Sequence, residues 1–255
     1  MTPFEHFKVT HLSPSQINDM TDCVNHWMVG RIMNKLPKFT GNSATARGNA
    51  VEHALYQKLY HNKSDDECIQ AGIDNYIGDM ALKPDDNKQK ERDNIEPMFL
   101  QLAEPLAEYG DPLRANNPRE QHEINLQMLH YPRMIGYLDL KYHTHNMVID
   151  IKTTTRLPSS IPDSHARQGA LYAQATGARV RFAYATPKKF AIYELEQDQI
   201  DKWINEIRCT LQRVERLLNL SKDIKEVVKY TIPNYASWAW KDPEARKVGF
   251  EINGY

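Results

Sequence analysis

Two aspartates and a lysine are the residues of this chain whose types and spacing could do chemistry. Asp139, Asp150 and Lys152 lie within one stretch, Gly136 to Tyr172, which reads GYLDLKYHTHNMVIDIKTTTRLPSSIPDSHARQGALY. The negative charge of a phosphodiester repels hydroxide, so its hydrolysis benefits from a cation that binds a phosphate oxygen and activates water. Oxygen donors from Asp139 and Asp150, with the backbone carbonyl of Ile151, suit Mg2+ or Mn2+. Lys152 beside such an ion could position the attacking water or stabilise charge on the phosphate in the transition state. The sequence leaves both roles open. A surface ion pair would use the same residue types. Against that reading, Asp is disfavoured in strands, and each aspartate interrupts or ends an otherwise apolar strand pattern.

Strands must carry these residues. Met134 to Tyr142 and Met147 to Lys152 read as two neighbouring strands separated by His143-Thr144-His145-Asn146. A two-residue Thr144-His145 loop would set Asp139 opposite Asp150, with Cβ atoms ~4.5 to 5.5 Å apart, so both carboxylates could hold one cation. Asp150 and Lys152, two apart, share a face, and Ile149 and Ile151 take the other. From Glu120 onward, Ile124, Leu126 and Met128 alternate against Glu123, Asn125 and Gln127, which predicts a preceding strand. Ala178–Ala185 and Phe190–Leu195 predict a further hairpin.

Helices surround these strands. Ser13, Pro14 and Gln16 form the capping-box signature of a helix along which Ile17, Met20, Val24, Trp27 and Ile32 recur. A second helix, Thr45 to Tyr60, has Val51, Leu55 and Leu59 on its apolar stripe. His53 lies off that stripe beside Ala46, Asn49, Ala50 and Gln57, a face with small residues that would admit a ligand or a strand. The acidic stretch Lys63 to Asn94 predicts one short helix, a loop and the start of another, and Ile95 to Tyr109 a helix stopped by Gly110-Asp111-Pro112. Asp163 or Ser164 caps a helix running to Thr176 and ended by Gly177, which puts Gln168 and Tyr172, four apart, on one face. Gln197 to Leu220 carries a continuous apolar stripe that suits a core or a partner surface. The tail, with Tyr235, Trp238, Trp240, Phe250 and Tyr255, could stack on unpaired bases or pack onto its own domain.

Composition sets outer bounds. The 255 residues carry 32 Lys plus Arg against 33 Asp plus Glu, so any basic surface must be local. Arg156 to Lys189 supplies one, with six Lys or Arg and one Asp directly after the candidate site. No apolar run approaches the roughly 20 residues that cross a bilayer, and the start MTPFEHFKVTHLS lacks a signal-peptide core, which predicts a cytoplasmic protein with no membrane partner. Cys23, Cys68 and Cys209 read as free thiols.

Gly136-Tyr137-Leu138-Asp139, Asp150-Ile151-Lys152-Thr153 and Gln168-Gly169-Ala170-Leu171-Tyr172 resemble, in order and spacing, the GxxD, DxK and QxxxY elements of RecB-like nucleases in the PD-(D/E)XK superfamily. Gly48 followed by His53 is similar to that group's Gly-and-His motif, and LSPSQINDMTDC to its opening helix. The likeness runs from about Leu12 to Tyr193. It implies an α/β, restriction-endonuclease-like core, a central mixed β-sheet flanked by helices with an N-terminal helical region. A chain of 255 residues can bury one full core, so one nuclease domain over 1–255 is expected, with helices at about 12–110, the catalytic core at about 120–220 and a tail at 230–255. By the same likeness His53, Asp139, Asp150 and the Ile151 carbonyl bind metal, Lys152 is catalytic with the two aspartates, and Gln168 and Tyr172 place the DNA strand. Arg156 and Arg167, in the basic run from Arg156 to Lys189, would help track its phosphate backbone. Glu123 is similar in placement to a Glu that some members carry, with Glu120 competing for the role. Iron-sulfur members hold their cluster through one cysteine near the first helix and three near the C-terminus. Only Cys209 lies in the second half here, so the resemblance is to stand-alone, cluster-free genome-maintenance exonucleases.

The expected function is therefore a Mg2+- or Mn2+-dependent DNA exonuclease acting on single strands or duplex ends in recombination, repair or genome processing. A restriction-type or structure-specific endonuclease would use the same core. A silent DNA-binding module, working with a recombination protein or as a homo-oligomer, is the reading from another class.

Overall fold

The computed structural model describes residues 1–38, 40–115 and 121–254. In chain order the elements are α1 (Pro3–His6), β1 (His11–Leu12), α2 (Pro14–Trp27) running into a π-helical turn (Met28–Ile32), α3 (Ser43–His61), α4 (Asp65–Met80), α5 (Lys88–Asp93), α6 (Ile95–Ala107), β2 (His122–Leu126), β3 (Arg133–Leu138), β4 (Leu140–Tyr142) and β5 (Met147–Thr153). After these come α7 (Asp163–Thr176), β6 (Arg179–Ala185), β7 (Phe190–Leu195), α8 (Gln197–Leu218), α9 (Ile224–Lys229), a 3-10 turn (Trp238–Trp240) and α10 (Pro243–Asn253).

Local chemistry sets the helix ends. Ser13 caps α2 by accepting from the Gln16 amide at 3.3 Å. The Gln16 side chain does not return to the cap as expected; it accepts from Trp27 Nε1 at 3.3 Å. Asn42 caps α3, and Asn62 closes it in the left-handed region at φ 51°. Ser64 and Glu67 form a full capping box for α4, whose sixteen residues exceed the short helix expected of an acidic stretch.

Four strands form one mixed sheet in the order β4-β5-β6-β7, with β5 parallel to β6 and antiparallel pairs at both flanks. A smaller sheet has the order β1-β3-β2. The expected strand from Met134 to Tyr142 is therefore broken. It leaves the small sheet after Leu138, bends at Asp139 and enters the large sheet at Leu140. The β4–β5 register is nonetheless the expected one, with Leu140 opposite Ile149, Lys141 opposite Val148 and Tyr142 opposite Met147. The connection is a four-residue turn, His143 to Asn146.

The sheet is covered on both faces because β5 is apolar on both, as buried parallel strands are. Val148, Val180, Phe182 and Tyr184 face α2, α7 and α8 in one cluster. Met147, Ile149, Ile151, Ala183 and Ala185 face α3, α4 and α6 in the other. A Cβ on Gly169 would stand 2.9 Å from Phe182 Cε2, so glycine there lets α7 lie close on β6. The α8 stripe, including Ile207, Leu211 and Leu218, is buried inside the chain, each such side chain contributing roughly 1.5 to 3 kcal/mol. Of the tail aromatics, Trp240 is fully buried and donates Nε1 to Cys23 Sγ at 3.3 Å, whereas Trp238 is 68% exposed. Tyr255 lies outside the described residues. Among those described, no helix is long and apolar enough to cross a membrane.

Candidate active site

The break at Asp139 makes the site. β4 pairs with β5 only as far as Ile149, so one edge of β5 is left open from Asp150 to Thr153. Asp139 fills the first gap, its Oδ2 accepting from the Ile151 amide at 2.8 Å where a strand carbonyl would otherwise stand. β3 and β5 diverge beyond this point, and a cleft of about 560 Å3 opens between them, lined by α3, α7 and both strands.

The α7 wall presents neutral donors. Gln168 Nε2 donates to Asp150 Oδ1 at 3.0 Å and to Tyr172 Oη at 2.7 Å. Tyr172 Oη in turn donates to the Tyr137 carbonyl at 2.7 Å, tying α7 to β3. A Cβ at Gly136 would lie 3.1 Å from the Tyr172 ring, so the glycine of the GxxD element admits that ring against the strand.

The α3 wall presents charge. Thr45, Gly48 and Glu52 line the cleft along one helical face. Glu52 accepts from Tyr56 Oη in a very short hydrogen bond, and its Oε1 accepts from Gln121 Nε2 at 2.7 Å. The same Gln121 amide reaches Asp139 Oδ1 at 3.2 Å. Continuing the β2–β3 register, in which His122 faces Leu138, sets Gln121 opposite Asp139. Lys152 Nζ lies 2.5 Å from Asp150 Oδ2. Apart from that ion pair, this buried oxygen has no hydrogen-bond partner among the described residues.

Asp139 and Asp150 are 7% and 1% exposed. Burial, then the neighbouring charges of Glu52 and Asp150, pushes the Asp139 carboxyl well above the usual carboxylate range. Burial likewise raises Glu52 and Asp150, in the latter against the pull of Lys152. For Lys152, burial alone would lower the ammonium, but Asp150, Asp139 and Glu52 outweigh it and raise it. Three carboxyls with one lysine thus form a site short of positive charge.

Of the residues expected at a site, Asp139, Asp150, Ile151, Lys152, Gln168 and Tyr172 line this cleft together. His53 does not. Its Nε2 lies 3.5 Å from Gln57 Nε2, and the preceding residue, Glu52, faces the cleft. One position on a helix is a rotation of roughly 100°, and Glu52 shares the face of Gly48 at four residues' spacing. That spacing, a carboxylate in register with the small residue, was the available signal. Arg167 is also displaced, pairing with Glu206 at 3.0 Å and donating to Asn18 at 2.7 Å. Arg156 lines a neighbouring cleft. Glu123 accepts from Tyr137 Oη at 3.3 Å outside the cleft, and Glu120 lies outside the described residues. Gln121 was missed because an amide at the start of a strand carries no distinctive pattern.

The donor set of Glu52, Asp139, Asp150 and the Ile151 carbonyl is all oxygen, and the raised carboxyls, with Lys152 the cation paired to Asp150 Oδ2, mark a place where added positive charge would be stabilising. The residues therefore fit a hard divalent cation. Among the described residues no three His, Cys, Asp or Glu side chains are gathered into a ready coordination shell, since Gln121 spans Glu52 and Asp139 and Lys152 is drawn to Asp150.

Comparison with known proteins bears on the fold and the family. A crystal structure from Eubacterium rectale named "Putative exonuclease" superposes with a TM-score of 0.55 at 13% identity, over 82% of each chain, a likeness of fold. The structure of SSO0001 covers 76% of this chain and 84% of its own at 13% identity, with a TM-score of 0.31, too slight to carry an argument. No curated relative matches the sequence. The family model of the PD-(D/E)XK nuclease superfamily matches residues 11–251, and with α/β sheets flanked by helices around an Asp-Asp-Lys cleft, the chain belongs to that superfamily.

Proposed function

We propose that this nuclease is a divalent-metal-dependent DNA exonuclease that hydrolyses phosphodiester bonds from strand ends. The observation that carries the reading is the convergence of Glu52, Asp139, Asp150 and Lys152 on one cleft. Glu52, Asp139, Asp150 and the Ile151 carbonyl would hold Mg2+ or Mn2+, with Glu52 in the place expected of His53. A bound divalent ion supplies Lewis-acid polarisation of the phosphate and a water of lowered pKa. Lys152 supplies a cation beside Asp150 that stabilises charge on the phosphate in the transition state. Gln168 and Tyr172 act through others, fixing the Asp150 carboxylate and the β3 backbone, and are positioning residues. The name carried by the Eubacterium rectale structure favours action at ends over internal cleavage.

End-labelled linear and covalently closed circular single-stranded DNA, incubated with Mg2+, Mn2+ or EDTA, test the reading. Release of mononucleotides or short products from the linear strand alone, abolished by EDTA, is expected. Degradation of circles at the linear rate would make the enzyme an endonuclease, and binding without turnover in either metal would remove the enzyme reading altogether.

A further inference from the structure

The basic run after Lys152 does not form one surface. Arg179 and Arg181 both pair with Glu194 at 2.7 Å, and Arg167 pairs with Glu206. Arg156, Lys188 and Lys189 instead line a separate cleft of about 600 Å3, where Lys90 joins them from α5. No Asp or Glu lines this cleft. No ion pair found among the described residues engages any of these four cations.

The cleft is held in shape from three sides. The β6–β7 turn is locked by the buried Thr186, whose amide donates to the Lys189 carbonyl at 2.9 Å and whose hydroxyl accepts from the Lys188 and Lys189 amides at 3.3 and 3.1 Å. Arg156 follows a turn in which Thr154 Oγ1 donates to the Arg156 carbonyl at 3.0 Å. Glu91, next to Lys90, is buried in an ion pair with Arg47, and Arg47 Nη2 also donates to the Thr153 carbonyl at 3.3 Å. Lys90 is thereby anchored to the strand that carries Lys152.

The two clefts share a wall. Thr153 lines the first and Thr155 the second, a separation of at most ~8 Å along the chain. The two clefts are therefore neighbours along β5 and the turn after it. We propose that the cleft of Lys90, Arg156, Lys188 and Lys189 is a backbone subsite that grips phosphates of the same strand beside the scissile position. This rests on the nucleic-acid part of the function proposed above. Gripping the backbone without reading bases gives an affinity that is independent of sequence and steep in salt.

Fluorescence anisotropy of a labelled single-stranded oligonucleotide in EDTA, where no cleavage occurs, tests this over a range of salt concentrations. Three lost phosphate contacts lower the slope of log affinity against log salt by about 2, at ~0.7 per contact on a single strand. The triple variant R156Q/K188Q/K189Q is expected to show that fall, with at least about tenfold weaker binding near 0.1 M salt. K90Q, on a different element, is expected to lose about 0.7, and K188R/K189R to keep the wild-type slope. Melting curves of each variant separate misfolding from lost contacts. An unchanged slope in the triple variant overturns the subsite. So does inorganic pyrophosphate displacing the oligonucleotide as well, mole for mole, as a second oligonucleotide, since that marks a small-anion pocket. If the slope falls but no DNA is cut with Mg2+ or Mn2+, the subsite stands and the nuclease activity fails. If DNA is cut and the slope holds, the reverse is true.

Discussion

The two helices that wall the catalytic cleft bring it opposite things. α7 delivers an amide and a hydroxyl, Gln168 and Tyr172, in a relay of hydrogen bonds that ends on a backbone carbonyl. α3 delivers Glu52, a carboxyl raised by burial and then by the charge of Asp150, and one that in turn raises buried Asp139. Polar groups on the α7 side are satisfied within the protein, so that wall can serve as scaffold. The α3 side carries electrostatic tension that only protons, Lys152 or an added cation can relieve. Under the proposed function that tension is what a bound cation would relieve, since groups perturbed by burial and like charges cluster at reactive centres.

The sharpest way to break this contrast is to neutralise the charged wall. Asp150→Asn and Asp139→Asn should each lower the rate on linear DNA by ~1,000-fold or more, given the several kcal/mol that electrostatic stabilisation supplies at such centres. In EDTA the melting temperature of Asp139→Asn should be unchanged or raised, because a repulsive charge has been removed, whereas Asp150→Asn leaves the Lys152 ammonium without its ion-pair partner and should melt lower. An Asp139→Asn variant that loses both activity and stability would mean that this carboxylate is structural. Glu52→Gln should cost ~100-fold on the same grounds, whereas His53→Ala should stay within about threefold of wild type. The opposite ranking would restore His53 as the ligand and displace Glu52. Mg2+ at 100 times its dissociation constant should stabilise the wild type by about 2.7 kcal/mol, and Asp139→Asn by much less, as read by melting.

The same contrast explains what could be read from the sequence. On the α7 side the residues that line the cleft lie within a short continuous run, and Gln168 and Tyr172 announce a shared face by their spacing of four. The β4–β5 register was legible too, because alternation and turn length leave few choices. On the α3 side only helical phase, across a long gap in sequence, distinguishes Glu52, which lines the cleft, from His53, which does not. The break between β3 and β4 was hidden for a related reason. The face of Met134, Leu138, Leu140 and Tyr142 stays apolar past Asp139, so nothing in the pattern marks a break there, and only tertiary divergence of the two sheets converts the interrupting aspartate into a substitute for a strand carbonyl. Arg167 shows the limit of counting charge, since its neighbours Glu206 and Asn18 come from distant helices.

Loosening the neutral wall should have smaller effects of a different kind. Tyr172→Phe deletes the hydroxyl that joins Gln168 to the Tyr137 carbonyl, and should destabilise by about 1 to 2 kcal/mol, the cost of leaving buried partners unsatisfied. Its activity should fall about tenfold, chiefly in the maximal rate, because Asp150 loses its fixed orientation. If Tyr172→Phe instead weakened DNA binding at an unchanged maximal rate, the tyrosine would be a substrate contact and the scaffold reading of α7 would fail.

Acid should separate the two walls most finely. His165, at the start of α7, packs its ring on Phe182 and Tyr184 and is 2.8 Å from Tyr184 Oη through Nδ1. Burial, then the charge of Lys152, lowers its pKa to about 4. An unfolded chain takes up a proton on this histidine near pH 6.5 and the folded one does not, so its contribution to stability falls as pH drops from about 6.5 toward 4. The raised carboxyls of Glu52 and Asp139 act in the opposite sense. The folded state binds their protons at higher pH than the unfolded one, so acidification relieves them and favours folding. Denaturant unfolding at pH 7 and pH 5 reads both. Relative to the wild type, His165→Gln should lose roughly 1 to 2 kcal/mol less on acidification, after discounting for its partial exposure. Asp139→Asn should lose more, because its share of the relief is gone. Equal losses in all three proteins would mean that neither wall carries the electrostatic character argued for it.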